Sequence, residues 1–274
     1  MRRILALCLL ALALSGSSAA QVKVSFLAMG DYGVGGSREL SLGLRMKSYE
    51  SQHDANWLVA LGDNDYLESP RLFRANWQRS FGWARRAGLQ VGGVLGNHDY
   101  EVGRGRYELK TLGMPGRYYT RRLGEGEVQL FFLDSTVVSA TETAWLEQQL
   151  SQSVATWKIA VFHHPPYTCG GHSGDTRVAR EWVPLFEDYG VQLVLSGHDH
   201  NYQRFAARNG VTYVVHGGGA AGLYSLRGCP SSYPRRVRAL YQHGFLYVTA
   251  SDEQLDVFAV DMRGRAADHF RLAP

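Results

Sequence analysis

The chain has 274 residues, 45% of them apolar and 20% charged, a balance that excludes disorder and leaves room for one large α/β domain or two small ones. Its formal charge of +4 falls to +2 without Arg2 and Arg3, too little to argue for a nucleic-acid partner.

In chain order, residues 1–20 read as a secretory signal peptide. Arg2 and Arg3 supply the charged start, residues 4–14 an apolar stretch too short to span a bilayer, and Ser18-Ala19-Ala20 the small residues for cleavage. A secreted or periplasmic protein is expected, with residues 21–274 as one mature domain. Cys8 lies within the apolar stretch and the residue directly after the cleavage site is Gln21, not cysteine, so no lipid anchor is predicted, and no later segment has the length of a membrane helix. Cys169 and Cys229 remain. In an oxidising compartment a disulfide is their simplest reading, with two free thiols as the alternative.

Short apolar runs at 22–29, 57–61, 91–95, 128–133, 159–162 and 191–195 fit buried strands, and segments 37–50, 70–86, 142–152 and 176–189 between them fit helices. Ser69 before Pro70 reads as an N-cap, and Thr141 is the candidate cap of the third helix. Beyond His200 the pattern turns to strands at 205–207, 211–215, 245–249, 254–260 and 269–272, with Arg208-Asn209-Gly210 as a hairpin turn. The predicted class is α/β, a two-sheet β-sandwich flanked by helices on both outer faces. Residues 217–243 form a long loop, of the kind that is usually functional or mobile.

Chemistry gathers at predicted strand ends, in Gly30-Asp31-Tyr32-Gly33, Gly62-Asp63-Asn64-Asp65-Tyr66, Gly96-Asn97-His98-Asp99, Val161-Phe162-His163-His164-Pro165 and Gly197-His198-Asp199-His200. One Asp or His at a strand end is ordinarily a turn former, but neighbouring strand ends can converge on one point. The mixture of carboxylate, amide and imidazole suits hard or borderline metals and disfavours soft ones. A carboxylate shared by two cations would build the paired clamp used in phosphoryl transfer.

This ordered set resembles the calcineurin-like metallophosphoesterases and, within them, the purple acid phosphatases, including the small tartrate-resistant type. The likeness runs from Asp31 to His200 and extends over the strand-rich tail, 244–274. Most of the superfamily opens with Asp-x-His. Here Gly33 stands at the His position, and Tyr66, three residues after Asp63, occupies the position of the purple branch's tyrosine. The resemblance implies an α/β/β/α metallophosphoesterase catalytic domain with Asp31, Tyr66 and His200 on a first metal. Asp63 would bridge, and Asn97, His164 and His198 would complete the second. A tyrosine of ordinary pKa near 10 needs a strong Lewis acid to bind as phenolate, so Fe(III) is expected there, beside a divalent Fe, Zn or Mn. The family's Val-x-x-His spacing, counted from Val161, selects His164 and leaves His163 a supporting or structural role.

The implied activity is that of an acid phosphatase, with a metal-bound hydroxide attacking small phosphorylated substrates. His98 would help bind phosphate and His172 would protonate the leaving alcohol. His172 lies eight residues beyond His164, where the family has about nine, so that assignment needs a small loop shift. Asp99 is a candidate for orienting His98 or a ligand, or for a turn. Asp65 is a supporting acid or an exposed one, His216 and Gly217-Gly218-Gly219 are candidate lining, and His243 is structural or supports the site from further out. The rival readings are a phosphodiesterase on the same site, an iron redox protein of peroxidase type, and a phosphate binder without turnover. Segments 67–70, 168–175 and 217–243 are expected to choose the substrate.

Overall fold

The computed structural model describes residues 22–274; the predicted signal peptide lies outside the described residues. The first half runs β1 (Val24–Met29), α1 (Gly36–His53), β2 (Trp57–Leu61), α2 (Pro70–Ser80), α3 (Gly82–Arg86), β3 (Gln90–Val94), α4 (Arg106–Leu112), β4 (Tyr119–Leu123) and β5 (Val128–Phe132). It continues through α5 (Ala140–Ser151), β6 (Trp157–Val161), α6 (Thr176–Glu181), α7 (Val183–Asp188) and β7 (Leu193–Ser196). Strands β8 (Tyr202–Arg208), β9 (Val211–His216), β10 (Arg236–Leu240), β11 (Gly244–Ala250), β12 (Leu255–Asp261) and β13 (Ala266–Leu272) complete it.

Two mixed sheets result, ordered β13-β12-β11-β1-β2-β3 and β10-β8-β9-β7-β6-β5-β4. Strands β1, β2 and β3 are mutually parallel, as are β5, β6, β7 and β9. Their carboxyl ends gather the loops that carry all five motifs. On β6, Trp157, Ile159 and Val161 enter the core between the sheets, whereas Ala160 and, just past the strand, Phe162 enter the core beneath α5, α6 and α7. This two-residue alternation carries on to His163, which is buried on the inter-sheet side. Tyr32, Trp77 and Phe81 pack α2 behind the first motif.

Several local expectations change in the fold. The segment predicted as one helix over 70–86 breaks at Phe81, and that over 176–189 breaks at Trp182, just before Pro184. Ser69 caps α2 as expected, accepting from Leu72 N. The cap of α5 is Ser139, whose Oγ accepts from Glu142 N at 3.2 Å, so Thr141 lies inside the helix rather than capping it. Strands β4 and β10 were not visible as apolar runs because both are half-exposed edges rich in arginine. The hairpin turn forms with positive φ at Asn209 (46°) and Gly210 (87°), as two-residue turns of this hand require. Among the described residues no helix is long and apolar enough to cross a membrane.

Candidate metal centre

Asp31, Asp63 and His198 all hold the left-handed backbone region, with φ of 56°, 50° and 70°. Such strain costs on the order of 1–3 kcal/mol per residue and persists only where surroundings enforce it. Here each turn swings a polar side chain off its strand axis. His198 N donates to Asp31 Oδ2 at 2.8 Å and His98 N to Asp63 Oδ1 at 3.0 Å, so backbone amides hold both carboxylates.

Asp31, Asp63, Tyr66 and His200 meet in one corner. The Tyr66 hydroxyl lies 3.1 Å from Asp31 Oδ1, 3.0 Å from Asp63 Oδ2 and 3.1 Å from His200 Nε2. His200 Nδ1 sits 2.7 Å from the Gly222 carbonyl, which can only accept, so Nδ1 carries the proton and Nε2 turns a lone pair into the corner. Lone pairs therefore outnumber protons, and burial together with the two carboxylates pushes the Tyr66 phenol far above its ordinary pKa. Burial raises Asp31 as well, whereas Asp63 is held below the usual carboxylate range because His163 outweighs its burial. Gly33 is sterically required here, since a Cβ would meet the Asn64 carbonyl oxygen at 1.9 Å. The chain passes too close for any side chain at the Asp-x-His position, and Tyr66 occupies the space in its stead.

Asn97, His163, His164 and His198 surround Asp63 on the other side. His163 Nδ1 lies 2.9 Å from the Leu61 carbonyl, leaving the Nε2 lone pair 3.4 Å from Asp63 Oδ2 without a hydrogen bond. Its ring packs so tightly on Gly62 that a Cβ there would sit 2.5 Å from Nδ1. Asn97 Oδ1 is likewise buried and unpartnered. Burial lowers the basicity of His163, but Asp63 and Asp31 outweigh it and raise its pKa to about 9. His164 is the opposite case: burial and His163 pull it down to about 3. Ligand atoms of Asp31, Asp63 and His163 lie within 4.8 Å of one another, as do those of His163, His164 and His198, so His163 alone belongs to both groups. The orphaned atoms, the surplus of lone pairs and the O/N donor chemistry all fit a pair of hard or borderline cations.

Around this cluster, His98 Nδ1 pairs with Glu101 at 2.9 Å and its ring lies 4.3 Å from that of Tyr66. His172 stacks on His198 at 4.0 Å, and burial lowers its pKa. Tyr224, from the long loop, stacks on His200 at 4.0 Å and stands edge-on to His172. Cys169 and Cys229 form a disulfide with Cα atoms 5.2 Å apart, fastening that loop to the segment bearing His172. The buried Asp199 carboxylate accepts from Thr168 Oγ1, from Gly171 N at 2.9 Å and from Asn201 Nδ2 at 3.0 Å. Asp99 does not reach the His98 ring; it accepts from Gly96 N, Asn64 N and Asp65 N and so shapes two ligand-bearing loops. Asp65 is buried and accepts from Leu67 N. His216 is buried with Nδ1 unpartnered, and His243 lies 3.3 Å from the Gly218 carbonyl. Ser135, Glu101 and Tyr224 were not singled out in the sequence, and Asp199 entered only as a member of the fifth motif, with no role of its own. Tyr224 lies in the segment 217–243 expected to choose the substrate.

A facing pair of mixed sheets with this donor set across their parallel strand ends defines a metallophosphoesterase. Residues 22–202 match the calcineurin-like phosphoesterase family, and the chain belongs to it. It is 27% identical to purple acid phosphatase 3 of Arabidopsis thaliana, over 90% of this chain and 77% of that one. To tartrate-resistant acid phosphatase type 5 of Mus musculus it is 24% identical, over 88% of both. Among solved structures, yellow lupin purple acid phosphatase PPD1 superposes with a TM-score of 0.79 at 16% identity, covering 93% of this chain and 54% of that one. Plasmodium GAP50, described as an anchor in the inner membrane complex, also gives 0.79, at 18% identity over 92% and 89% of the two chains. One fold thus serves both a phosphatase and an anchor, and the activity has to be argued from the site.

Proposed function

We propose that this chain is a secreted acid phosphatase that hydrolyses small phosphomonoesters at a two-metal centre. The observation that carries the reading is the exchange at Gly33 and Tyr66: the backbone excludes a side chain at the first position and seats a phenol among Asp31, Asp63 and His200. Asp31, Tyr66 and His200 would hold one ion and Asp63 would bridge. Asn97, His163 and His198 would hold the other. His163 replaces the His164 expected from sequence, because the Leu61 carbonyl holds its Nδ1–H and its Nε2 faces the carboxylates, where a cation can take the place of the proton they otherwise draw to it. This choice also places His172 nine residues beyond the ligand, so no loop shift is needed.

When bound, the ions would supply Lewis acidity and an activated water. A phenol seated on two carboxylates and an imidazole binds as phenolate only to a strongly Lewis-acidic ion, which supports Fe(III) beside a divalent Fe, Zn or Mn. His98, oriented by Glu101, contributes an imidazole to phosphate binding, and His172 stands at the rim to protonate the leaving alcohol. Residues 1–20 would be the secretory signal and residues 21–274 the catalytic domain. The test is metal analysis with a visible spectrum of the purified protein, alongside turnover of an aryl phosphate and its bis-aryl diester. Two metals per chain, a tyrosinate band lost in Tyr66→Phe and preference for the monoester are expected. A colourless, fully active Zn or Mn enzyme removes the iron assignment, and dominant diester turnover removes the monoesterase.

A further inference from the structure

His163 and His164 are adjacent, yet their neighbours give them opposite tautomers. Ser135 Oγ lies 3.2 Å from His163 N and 2.8 Å from His164 N. Both backbone amides can only donate, so together they occupy the two lone pairs of the hydroxyl. Its single proton is left for His164 Nδ1, 3.0 Å away. That nitrogen is an acceptor, so the neutral ring carries its hydrogen on Nε2. A metal ligand needs the reverse, a lone pair on the nitrogen facing the ion, which is the state the Leu61 carbonyl imposes on His163.

His164 is therefore built as a hydrogen-bond donor. Its ring lies 4.4 Å from that of His198 and 4.9 Å from that of His163. Unlike the fully buried His163, it is partly open to solvent. We propose that His164 is a further catalytic residue, donating its Nε2–H to a phosphoryl oxygen of the substrate beside the Asn97–His163–His198 position, with Ser135 as the positioning residue that fixes its tautomer. This rests on the phosphatase reading for the identity of the substrate, but the tautomer and the metal count stand apart from it. A neutral donor differs from His98, whose Nδ1 faces the Glu101 carboxylate, in that its N–H is set by a hydroxyl rather than by a charge.

The experiment compares His163→Ala, His164→Ala, His164→Gln and Ser135→Ala by metal content of the protein as purified, affinity for inorganic phosphate by calorimetry, and steady-state kinetics on an aryl phosphate. His164→Ala should keep both metals and weaken phosphate binding and KM by about 10- to 100-fold, the span of one hydrogen bond to a charged group. Glutamine places an amide N–H near the Nε2 position and should restore most of the loss. Ser135→Ala should follow His164→Ala in direction but less far, and His163→Ala should lose metal. Loss of metal in His164→Ala with both ions kept in His163→Ala would overturn the assignment, as would unchanged phosphate affinity in a fully loaded His164→Ala. A wild-type protein that binds metal and phosphate but turns over no phosphomonoester removes the phosphatase reading alone, since the metal and phosphate arms still decide the role of His164.

Discussion

The two sides of Asp63 solve the same problem differently. Toward Asp31, Tyr66 and His200 the polar atoms lean on one another at 3.0 to 3.2 Å, and one phenolic proton is shared among them. Toward Asn97 and His163 the atoms stand apart and buried with no partner. The first corner has one hydroxyl proton to offer, so its lone pairs are met in part without an ion. The second leaves acceptor atoms desolvated without a hydrogen bond, a cost of about 1–3 kcal/mol for each such group. Unpaired buried polar atoms persist in a native structure where something else is meant to pair with them. The second corner therefore states the need for a cation more plainly.

The sharpest way to break this contrast is to remove one polar group from each corner and measure stability in chelator-treated protein. Asn97→Ala deletes an orphaned carbonyl and should leave the metal-free protein about 1 kcal/mol more stable, whereas Tyr66→Phe deletes a paired hydroxyl and should cost about 1 kcal/mol. In metal-loaded protein both should lose activity on the order of 100-fold or more, since even residues that only support ligands account for 10- to 100-fold. Denaturant unfolding with and without chelator reads the signs. Equal destabilisation by both substitutions would erase the distinction between the corners.

The fold was readable from sequence wherever burial is complete. Strand β2 was predicted over the residues it occupies, because a run buried on every side carries no competing signal. Edges such as β10 escaped because half-exposed strands are patterned by solvent as much as by the core. In the site, every motif anticipated as metal-binding comes to one place. The choice between His163 and His164 depended on counting from Val161, which cannot say which way a ring faces. Strand alternation bears on that: Trp157, Ile159, Val161 and His163 share the inter-sheet side, which supports the proposal of His163. Asp199 was hidden for a different reason. Its partners, at 168, 171 and 201, come from segments whose approach is set by the fold and the disulfide.

Asp199 offers a smaller effect, outside either corner. Its carboxylate only accepts, and asparagine would turn an N–H2 toward Thr168, Gly171 or Asn201, all of which donate to it. Asp199→Asn should loosen the segment carrying His172 while leaving the ions in place. Alkyl phosphates, whose leaving group needs a proton, should then lose kcat by about 10-fold, at the low end of what a general acid contributes. Aryl phosphates with acidic leaving groups should change little. A loss that is the same for both substrate types, or a fall in metal content, would place Asp199 with the proposed ligands His198 and His200 and not with the proposed acid His172.

The smallest expected effect lies behind the second corner. Glu142 is buried, and its Oε1 accepts from Asp134 N at 2.7 Å, supporting the turn that presents Ser135 to both histidines. Burial raises its pKa from 4.5 to about 8, only partly offset by the Asp134 amide. The folded protein therefore binds this proton more tightly than the unfolded chain does. Its favourable contribution is complete below about pH 4.5 and declines as pH rises toward 8, with a slope of at most about 1.4 kcal/mol per pH unit. Glu142→Gln keeps an acceptor oxygen and cannot ionise, so it should flatten the fall in Tm between pH 5 and 8 while leaving Tm below pH 4.5 nearly unchanged. A profile as steep as the wild type's would mean that the turn bearing Ser135 is held by the Asp134 cap on Thr136 and not by a neutral Glu142. The second corner would then be rigid across the same pH range, for reasons of backbone geometry alone.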